Sequence, residues 1–336
     1  MRRNITDFAL LVTGFLSDYL PFQRNYSKNT VLSYRDTFKL FARFLTEFKS
    51  IQLSKFSMAQ LDRSTVVEFL EWLRSNGCGV STANQRLAAL KSFASYAGIE
   101  CVEFLAPLQN IQSIKSAKSV SEDIVYLNSE QMALLINKPD INTVNGLRHR
   151  VVLTLLYDSG CRVQELCNLK IRDVDTDAAT VHLHGKGNKH RTVTISVNTA
   201  KLTDEYIKRK RQTDDLTQPL LLNKSGKSIS RDGINYIIHK YAKEVKNFDS
   251  TFPDNIHAHC FRHSKAMHML AAGISIIYIR DFLGHEDIST TMIYAKADNR
   301  LKADAINELA PKITQKTDFT DWTNDTDLMS FLNSLK

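Results

Sequence analysis

Residues 257–294 read HAHCFRHSKAMHMLAAGISIIYIRDFLGHEDISTTMIY. His257, His259, Arg262, His263 and His268 come first, then two short apolar helical patterns. Leu283-Gly284-His285 follows, and Tyr294 lies nine residues further on. Helices joined by tight turns can bring histidines, an arginine and a tyrosine at these intervals together. Such a set suits phosphate chemistry without a metal. A cation holds the oxyanions, imidazoles donate or move protons, and a phenol attacks.

Around this stretch, a chain of 336 residues has room for two domains, each with its own core. The net charge of +8 favours a polyanionic partner. The five cysteines stand singly, with no Cys-x-x-Cys pair. An odd, scattered set argues against a disulfide framework and fits a reducing cytoplasm. Near the N-terminus, Arg2 and Arg3 precede an apolar run from Phe8 to Leu16, but Asp7 interrupts it and no small-x-small cleavage site follows. Phe8, Leu11, Val12, Phe15 and Tyr19 instead mark an amphipathic helix. No run approaches the roughly 18 apolar residues that a membrane span needs.

The hydrophobic spacing predicts a mainly helical protein with one small β-hairpin. Val31, Tyr34, Phe38, Phe41, Leu45 and Phe48 form a continuous helix face. A second helix runs from Arg63 to Arg74 and closes at Asn76-Gly77. A third, opened by Ser81-Thr82, turns Leu87, Leu90, Phe93 and Ala97 to a core. Residues 1–110 therefore read as a helical bundle, which Pro107 ends. Residues 111–126 lack period and bulk and read as an exposed linker.

A second unit is expected over 127–310. Ser129 would cap a helix burying Met132, Leu134 and Leu135, and another would run from Arg148 to Tyr157. Asp158-Ser159-Gly160 breaks that helix just before Arg162. Thr180–His184 and Thr192–Ser196 alternate with period two around the tip Gly185-Lys186-Gly187-Asn188-Lys189-His190-Arg191, a basic hairpin. A further helix spans Ser230 to Val245. The helix bearing Tyr294 would continue to Leu309, and 311–336 is a tail with a final apolar patch at Leu328, Met329, Phe331, Leu332 and Leu335.

Several patterns fail. Gly226-Lys227-Ser228 could end a phosphate loop, but Leu221 stands where its first glycine must be. His259 and His263 have the spacing of zinc-protease ligands, yet Cys260 occupies the place of the glutamate. The remaining histidines find no partner pair at zinc-finger spacing, so no metal is expected. Arg162 alone reads equally well as a surface arginine pairing with Asp158 or Glu165. Lys186 alone is a solubilising charge, and Tyr294 an amphipathic core residue. Lys28, Arg35, Lys39, Arg43, Arg86 and Lys91 on the first-unit helices read either as a solvated face or as phosphate contacts along a DNA duplex.

Taken together, Arg162, Lys186, His259-x-x-Arg262, Leu-Gly-His285 and Tyr294 resemble, in order and spacing, the active site of the tyrosine recombinases. Ser159 to Leu166 resembles that family's first arginine box, and Arg262-His263-Ser264 with Ser289 to Tyr294 its second. The likeness covers about 127–300, and a weaker one covers 27–97, where Ser27 to Tyr34 resembles the start of the core-binding helical domain. Xer-type and phage or transposon integrases are the most similar members. Phe261 and Lys265 depart from the usual pattern at non-catalytic positions.

The resemblance implies a helical, SAM-like core-binding domain and an α+β catalytic domain that clamp double-stranded DNA. It implies site-specific strand exchange with Tyr294 as nucleophile, through a 3′-phosphotyrosyl link that needs no nucleotide cofactor. Arg162 and Arg262 would grip non-bridging oxygens, and His259 would serve as base. His285 would donate to the phosphate, and Lys186, on a mobile hairpin, would protonate the leaving 5′-oxygen. Glu165 would orient Arg162 or a histidine, while His257, His263 and His268 would be structural. The family also implies a homotetramer on paired sites, with the tail docked on a neighbouring subunit or folded back on its own. Integration of a mobile element is the preferred role. Resolution of chromosome or plasmid dimers, a type IB topoisomerase, and a non-catalytic regulator using 266–283 as a helix-turn-helix remain open.

Overall fold

The computed structural model describes residues 6–118, 124–185, 189–211, 213, 215–297 and 326–334. The chain divides into two compact units, Met1–Glu122 and Asp123–Lys336.

The first unit is helical. Helix α1 (Asp7–Gly14) runs on as a wider π-helical segment, Phe15–Gln23, past Pro21. It is followed by α2 (Lys28–Glu47), α3 (Arg63–Ser75), α4 (Val80–Glu100) and α5 (Leu105–Gln112). Local chemistry sets the starts. Ser27 accepts the Thr30 N–H and Asp62 that of Thr65, capping α2 and α3. The core is an aromatic cluster in which Phe8 meets Phe56 edge-on at 4.9 Å and Phe38 meets Phe93 at 5.1 Å. Each such fully buried side chain contributes about 1.5–3 kcal/mol. The expected linker begins too early. Ile111 and Ile114 are buried in this core, and the Asn84 side chain pairs with the backbone of Ala117. Polar neighbours hide those two isoleucines from a periodicity count.

The second unit contains α6 (Ser129–Asn137), α7 (Val144–Asp158), α8 (Val163–Asn168), α9 (Val197–Tyr206), α10 (Arg231–Lys246), α11 (Ala258–Ala271), α12 (Ile276–Leu283) and α13 (Ser289–Ala297). Asn128, not Ser129, caps α6, in a reciprocal box with Gln131. Leu134 faces outward at 52% exposure, because Met132 and Leu135 already fill the inward face. Helix α7 opens four residues before Arg148, at the Thr143 cap. Val151, Val152, Leu155 and Leu156 on α7 pack with Ile234, Ile237 and Ile238 on α10 in the main core.

A three-stranded antiparallel sheet, order β1-β2-β3, lies against that core: β1 (Val174–Asp175), β2 (Thr180–His184) and β3 (His190–Thr194). The hairpin register pairs Leu183 with Arg191 and His184 with His190. Strand β3 starts two residues before the expected Thr192, and β1 is too short to show in the sequence. A smaller core joins α11, α12 and α13 through Met267, Leu270, Ile279, Leu283 and Tyr294. The expected extension of α13 to Leu309 lies outside the described residues. A separate helix spans Thr326–Ser334, with Phe331 and Leu332 exposed.

Candidate active site

Arg162 stands where the chain breaks between α7 and α8. Gly160 makes the break with φ +55°, and a Cβ there would lie 3.0 Å from the Phe282 ring. Only glycine satisfies both demands. Arg162 is the N-cap residue of α8. Its backbone N–H donates to Glu165 Oε2 at 2.8 Å, and its Nη1 to Glu165 Oε1 at 3.1 Å. Of the two carboxylates the sequence offers Arg162, Glu165 takes the pairing. Asp158 is engaged by Lys265 at 2.8 Å and by the Thr199 hydroxyl.

The C-terminal turn of α12 presents three consecutive carbonyls, and each accepts from a different arginine. Phe282 O takes Arg191 Nε at 3.1 Å, Leu283 O takes Arg262 Nη2 at 2.7 Å, and Gly284 O takes Arg162 Nη2 at 3.4 Å. The negative end of the helix dipole suits this crowd of cations. Arg262 is also held by Gly160 O at 2.6 Å and is 3% exposed. Burial, with Arg162 and Arg191 close by, pulls its pKa down to about 10, which still leaves it charged at neutral pH. Burial opposes the charge on Glu165. Hydrogen bonds from Arg191 and from the Arg162 backbone nevertheless hold it below the usual carboxylate range.

Gly284 ends α12 in the left-handed conformation, φ +66°, and aims the next residue, His285, back toward the arginines. His285 Nδ1 lies 2.9 Å from the hydroxyl of Thr291, which is fully buried. Burial and then Arg262, Arg162 and Arg191 lower its pKa to about 4, so the imidazole is neutral at physiological pH. In the tautomer whose Nδ1 accepts from Thr291, Nε2 carries the proton and can donate to an incoming oxyanion.

Tyr294 is 1% exposed and belongs to the smaller core. Its hydroxyl meets Nδ1 of His263 at 2.9 Å. Burial raises the phenol's pKa, and Arg262 pulls weakly the other way. Burial lowers the pKa of His263 to about 4, so the imidazole in this bond is neutral. Helical spacing alone could not show this contact, which forms because α13 crosses α11 at His263. His259 sits one turn earlier on α11, exposed, its ring 6.2 Å from those of His257 and His263. His268 bonds the Tyr157 hydroxyl.

Lys186 lies outside the described residues. The hairpin that carries it is closed by Gly185 N–H donating to Lys189 O at 2.7 Å. A cleft of about 810 Å³ opens between the hairpin base (Gly185, Lys189, Arg191), Arg162 and the turn at Gly284 and His285. On the first unit, Lys28, Arg35, Lys39 and Arg43 share an exposed side of α2. Arg35 and Arg43 pair there with Asp36 and Glu47. Arg86 turns inward and donates to Ser33 O, and Lys91 donates to Gln112 O.

The residue the sequence reading missed is Arg191. It looks like one more cation in a basic tip, yet its register opposite Leu183 puts it on the inward face beside Val193. An arginine at an inward position of a half-buried strand was the available signal. Among the described residues no group of three His, Cys, Asp or Glu side chains has the geometry to hold a metal ion. Nor is any described helix long and apolar enough to cross a membrane.

Residues 125–300 match the phage integrase family, and residues 13–100 match its N-terminal SAM-like domain. The chain belongs to the phage integrase family. The recombinase is 31% identical to tyrosine recombinase XerD of Staphylococcus epidermidis over 285 residues, 83% of this chain and 92% of that protein. It is 29% identical to the putative integrase/recombinase y4rC of Sinorhizobium fredii over 331 residues, 97% of this chain and 98% of that one. In fold it is similar to the Tn1549 transposon integrase solved with transposon right end DNA. That match has a TM-score of 0.68 and 16% identity over 90% of this chain and 99% of the other. The recombinase thus combines an N-terminal SAM-like domain with a catalytic domain for site-specific recombination.

Proposed function

We propose that this recombinase cuts double-stranded DNA at specific sites with Tyr294, and that it integrates a mobile element. The phenolic oxygen attacks the phosphorus, the bond to the 5′-oxygen breaks, and a 3′-phosphotyrosyl link remains. Lys186 supplies the proton to the leaving 5′-hydroxyl. Religation reverses these steps and needs no external energy. The observation that carries this reading is the placing of Arg162 and Arg262 on the adjacent carbonyls of Gly284 and Leu283, beside a neutral His285. That set brings together the positive charge and N–H donors that a phosphodiester's non-bridging oxygens call for.

In this scheme Tyr294 leaves its buried place when the phosphate enters. The negative charge that arrives raises the proton affinity of His263, which takes the phenolic proton. His259, exposed at the start of α11, donates to the phosphate instead of acting as the base expected from the sequence. Lys28, Arg35, Lys39 and Arg43 contact backbone phosphates, so affinity falls steeply with salt. The active assembly is a homotetramer on paired sites in the cytoplasm, with the helix Thr326–Ser334 offering Phe331 and Leu332 to a neighbouring subunit. Deleting residues 312–336 then weakens pairing of sites and spares single-site binding.

The mobile-element role draws support from the match to y4rC, a putative integrase/recombinase, which runs over 97% of the chain, whereas the XerD matches run over 83–88%. Incubation with a pool of nicked duplexes bearing a randomised core tests the chemistry. Wild type is expected to form an SDS-stable adduct whose DNA reveals the site, and Tyr294→Phe to bind DNA without forming one. An adduct on the Phe variant overturns the assignment.

A further inference from the structure

The guanidinium of Arg191 makes more bonds inside the site than either arginine read from the sequence. Its Nη1 donates to Glu165 Oε1 at 3.0 Å, its Nη2 to Glu165 Oε2 at 2.8 Å, and its Nε to Phe282 O. The side chain is 13% exposed and that of Glu165 4%. Arg162, which shares the same carboxylate, is 39% exposed and faces the cleft. Both neighbouring glycines fit around the pair. A Cβ at Gly284 would lie 3.0 Å from Arg191 Cδ, and one at Gly185 3.4 Å from Glu165 Oε1.

We infer that Arg191 is a positioning residue for DNA cleavage: by occupying both oxygens of Glu165 it keeps that carboxylate from neutralising Arg162, whose guanidinium stays directed at the scissile phosphate. The reasoning is one of charge and geometry. One buried carboxylate stands between two guanidiniums, so a full positive charge remains for the phosphate. The bidentate fork on the Arg191 side leaves Arg162 only one side-chain bond to Glu165. Without Arg191, the same carboxylate, still buried, closes onto Arg162 as a second fork. The cleft then loses its cation at the moment charge builds on the non-bridging oxygens. Arg191 touches neither tyrosine nor phosphate in this scheme; it acts through Glu165.

This inference rests on the proposed strand cleavage, and the experiment keeps the two apart. The probe is the nicked duplex recovered from the pool with wild-type protein, and the readouts are the duplex Kd and the first-order rate of adduct formation. If wild type gives no adduct, the proposed function fails and Arg191 is not at issue. With wild type active, Arg191→Ala is expected to lower the rate about 100-fold while Kd stays within about threefold. Arg191→Lys, which keeps the charge but not the fork, recovers part of the loss. The decisive variant is the double substitution Arg191→Ala with Glu165→Gln. Removing the carboxylate's charge frees Arg162, and the rate rises at least about tenfold above that of Arg191→Ala alone. A structural rivet predicts the opposite, since a second buried change only loosens the site further. An Arg191→Ala variant that cleaves at the wild-type rate, or a double variant no faster than the single one, overturns the proposal.

Discussion

The hydroxyl of Tyr294, buried in the small core shared by α11 and α13, lies 2.9 Å from Nδ1 of the half-buried His263. The hydroxyl proposed as nucleophile is thus held by an imidazole. Replacing His263 by Leu leaves a buried hydroxyl without its partner, a loss of about 1–3 kcal/mol. Urea denaturation is expected to show that loss, and adduct formation should slow in parallel. Wild-type stability in the variant would show that the hydroxyl finds another partner.

Thr291 pairs with Nδ1 of His285 and so bears on which ring nitrogen carries the proton. Thr291→Val keeps the shape and removes the hydroxyl, so the imidazole is free to take the other tautomer. Cleavage is expected to fall about tenfold, a loss of about 1.4 kcal/mol of transition-state stabilisation, with DNA affinity unchanged. Nitrogen chemical shifts of the His285 ring would report the tautomer directly.

Gly284→Ala meets two penalties at one atom. The left-handed conformation costs an alanine about 1–2 kcal/mol, and the new methyl would press on Arg191. Stability should drop by about 2 kcal/mol or more, and cleavage should drop further than stability alone explains. Thermal unfolding and adduct rates, measured side by side, separate the two effects.

Lys265 lies near the rings of Tyr157 and Phe282 and pairs with the buried Asp158. Burial opposes the charge on Asp158, but Lys265, the Ser196 N–H and the Thr199 hydroxyl together more than offset it, so the folded pKa is lowered. Such a group stabilises the fold above its unfolded pKa of about 3.9, and that contribution is lost as pH falls through the folded value. Lys265→Met is expected to cost about 3 kcal/mol at neutral pH, with the gap to wild type narrowing below about pH 4. A gap independent of pH would mean the lysine contributes only packing.

Three imidazoles, the buried His149 and the half-buried His263 and His285, are each held near pKa 4, chiefly by burial. In the unfolded chain they titrate near 6.5. As pH drops from about 6.5 toward 4, the unfolded state takes up protons that the folded state refuses, and stability declines across that window. Urea midpoints at pH 7 and pH 5 should differ accordingly. DNA should reduce the difference, because a phosphate beside His285 favours its protonated form.

Much of this site can be read in the sequence because its parts are punctuated locally. A helix break precedes Arg162, Leu-Gly precedes His285, and a helical face carries Tyr294. The fold was readable for the same reason wherever apolar spacing was dense, as along α2 and α10. What escaped depended on contacts between distant segments. His263 meets Tyr294 only because α11 and α13 cross there, and Arg191 meets Glu165 only through the strand register. Ile111 and Ile114 were passed over because isolated apolar residues among polar ones carry no period.

The hairpin register has a consequence for how this recombinase can vary. Side chains alternate between faces, so Arg191 points inward because it pairs with Leu183, and this pairing belongs to the ladder rather than to the tip. Residues added between Gly185 and Lys189 lengthen the arm that bears Lys186 and leave the arginine seated. Sliding the ladder by a single position would instead present His190 or Thr192 to Glu165 and turn Arg191 out to water. Loop length and strand phase are therefore separable, and it is the phase that the Arg191–Glu165 ion pair ties down.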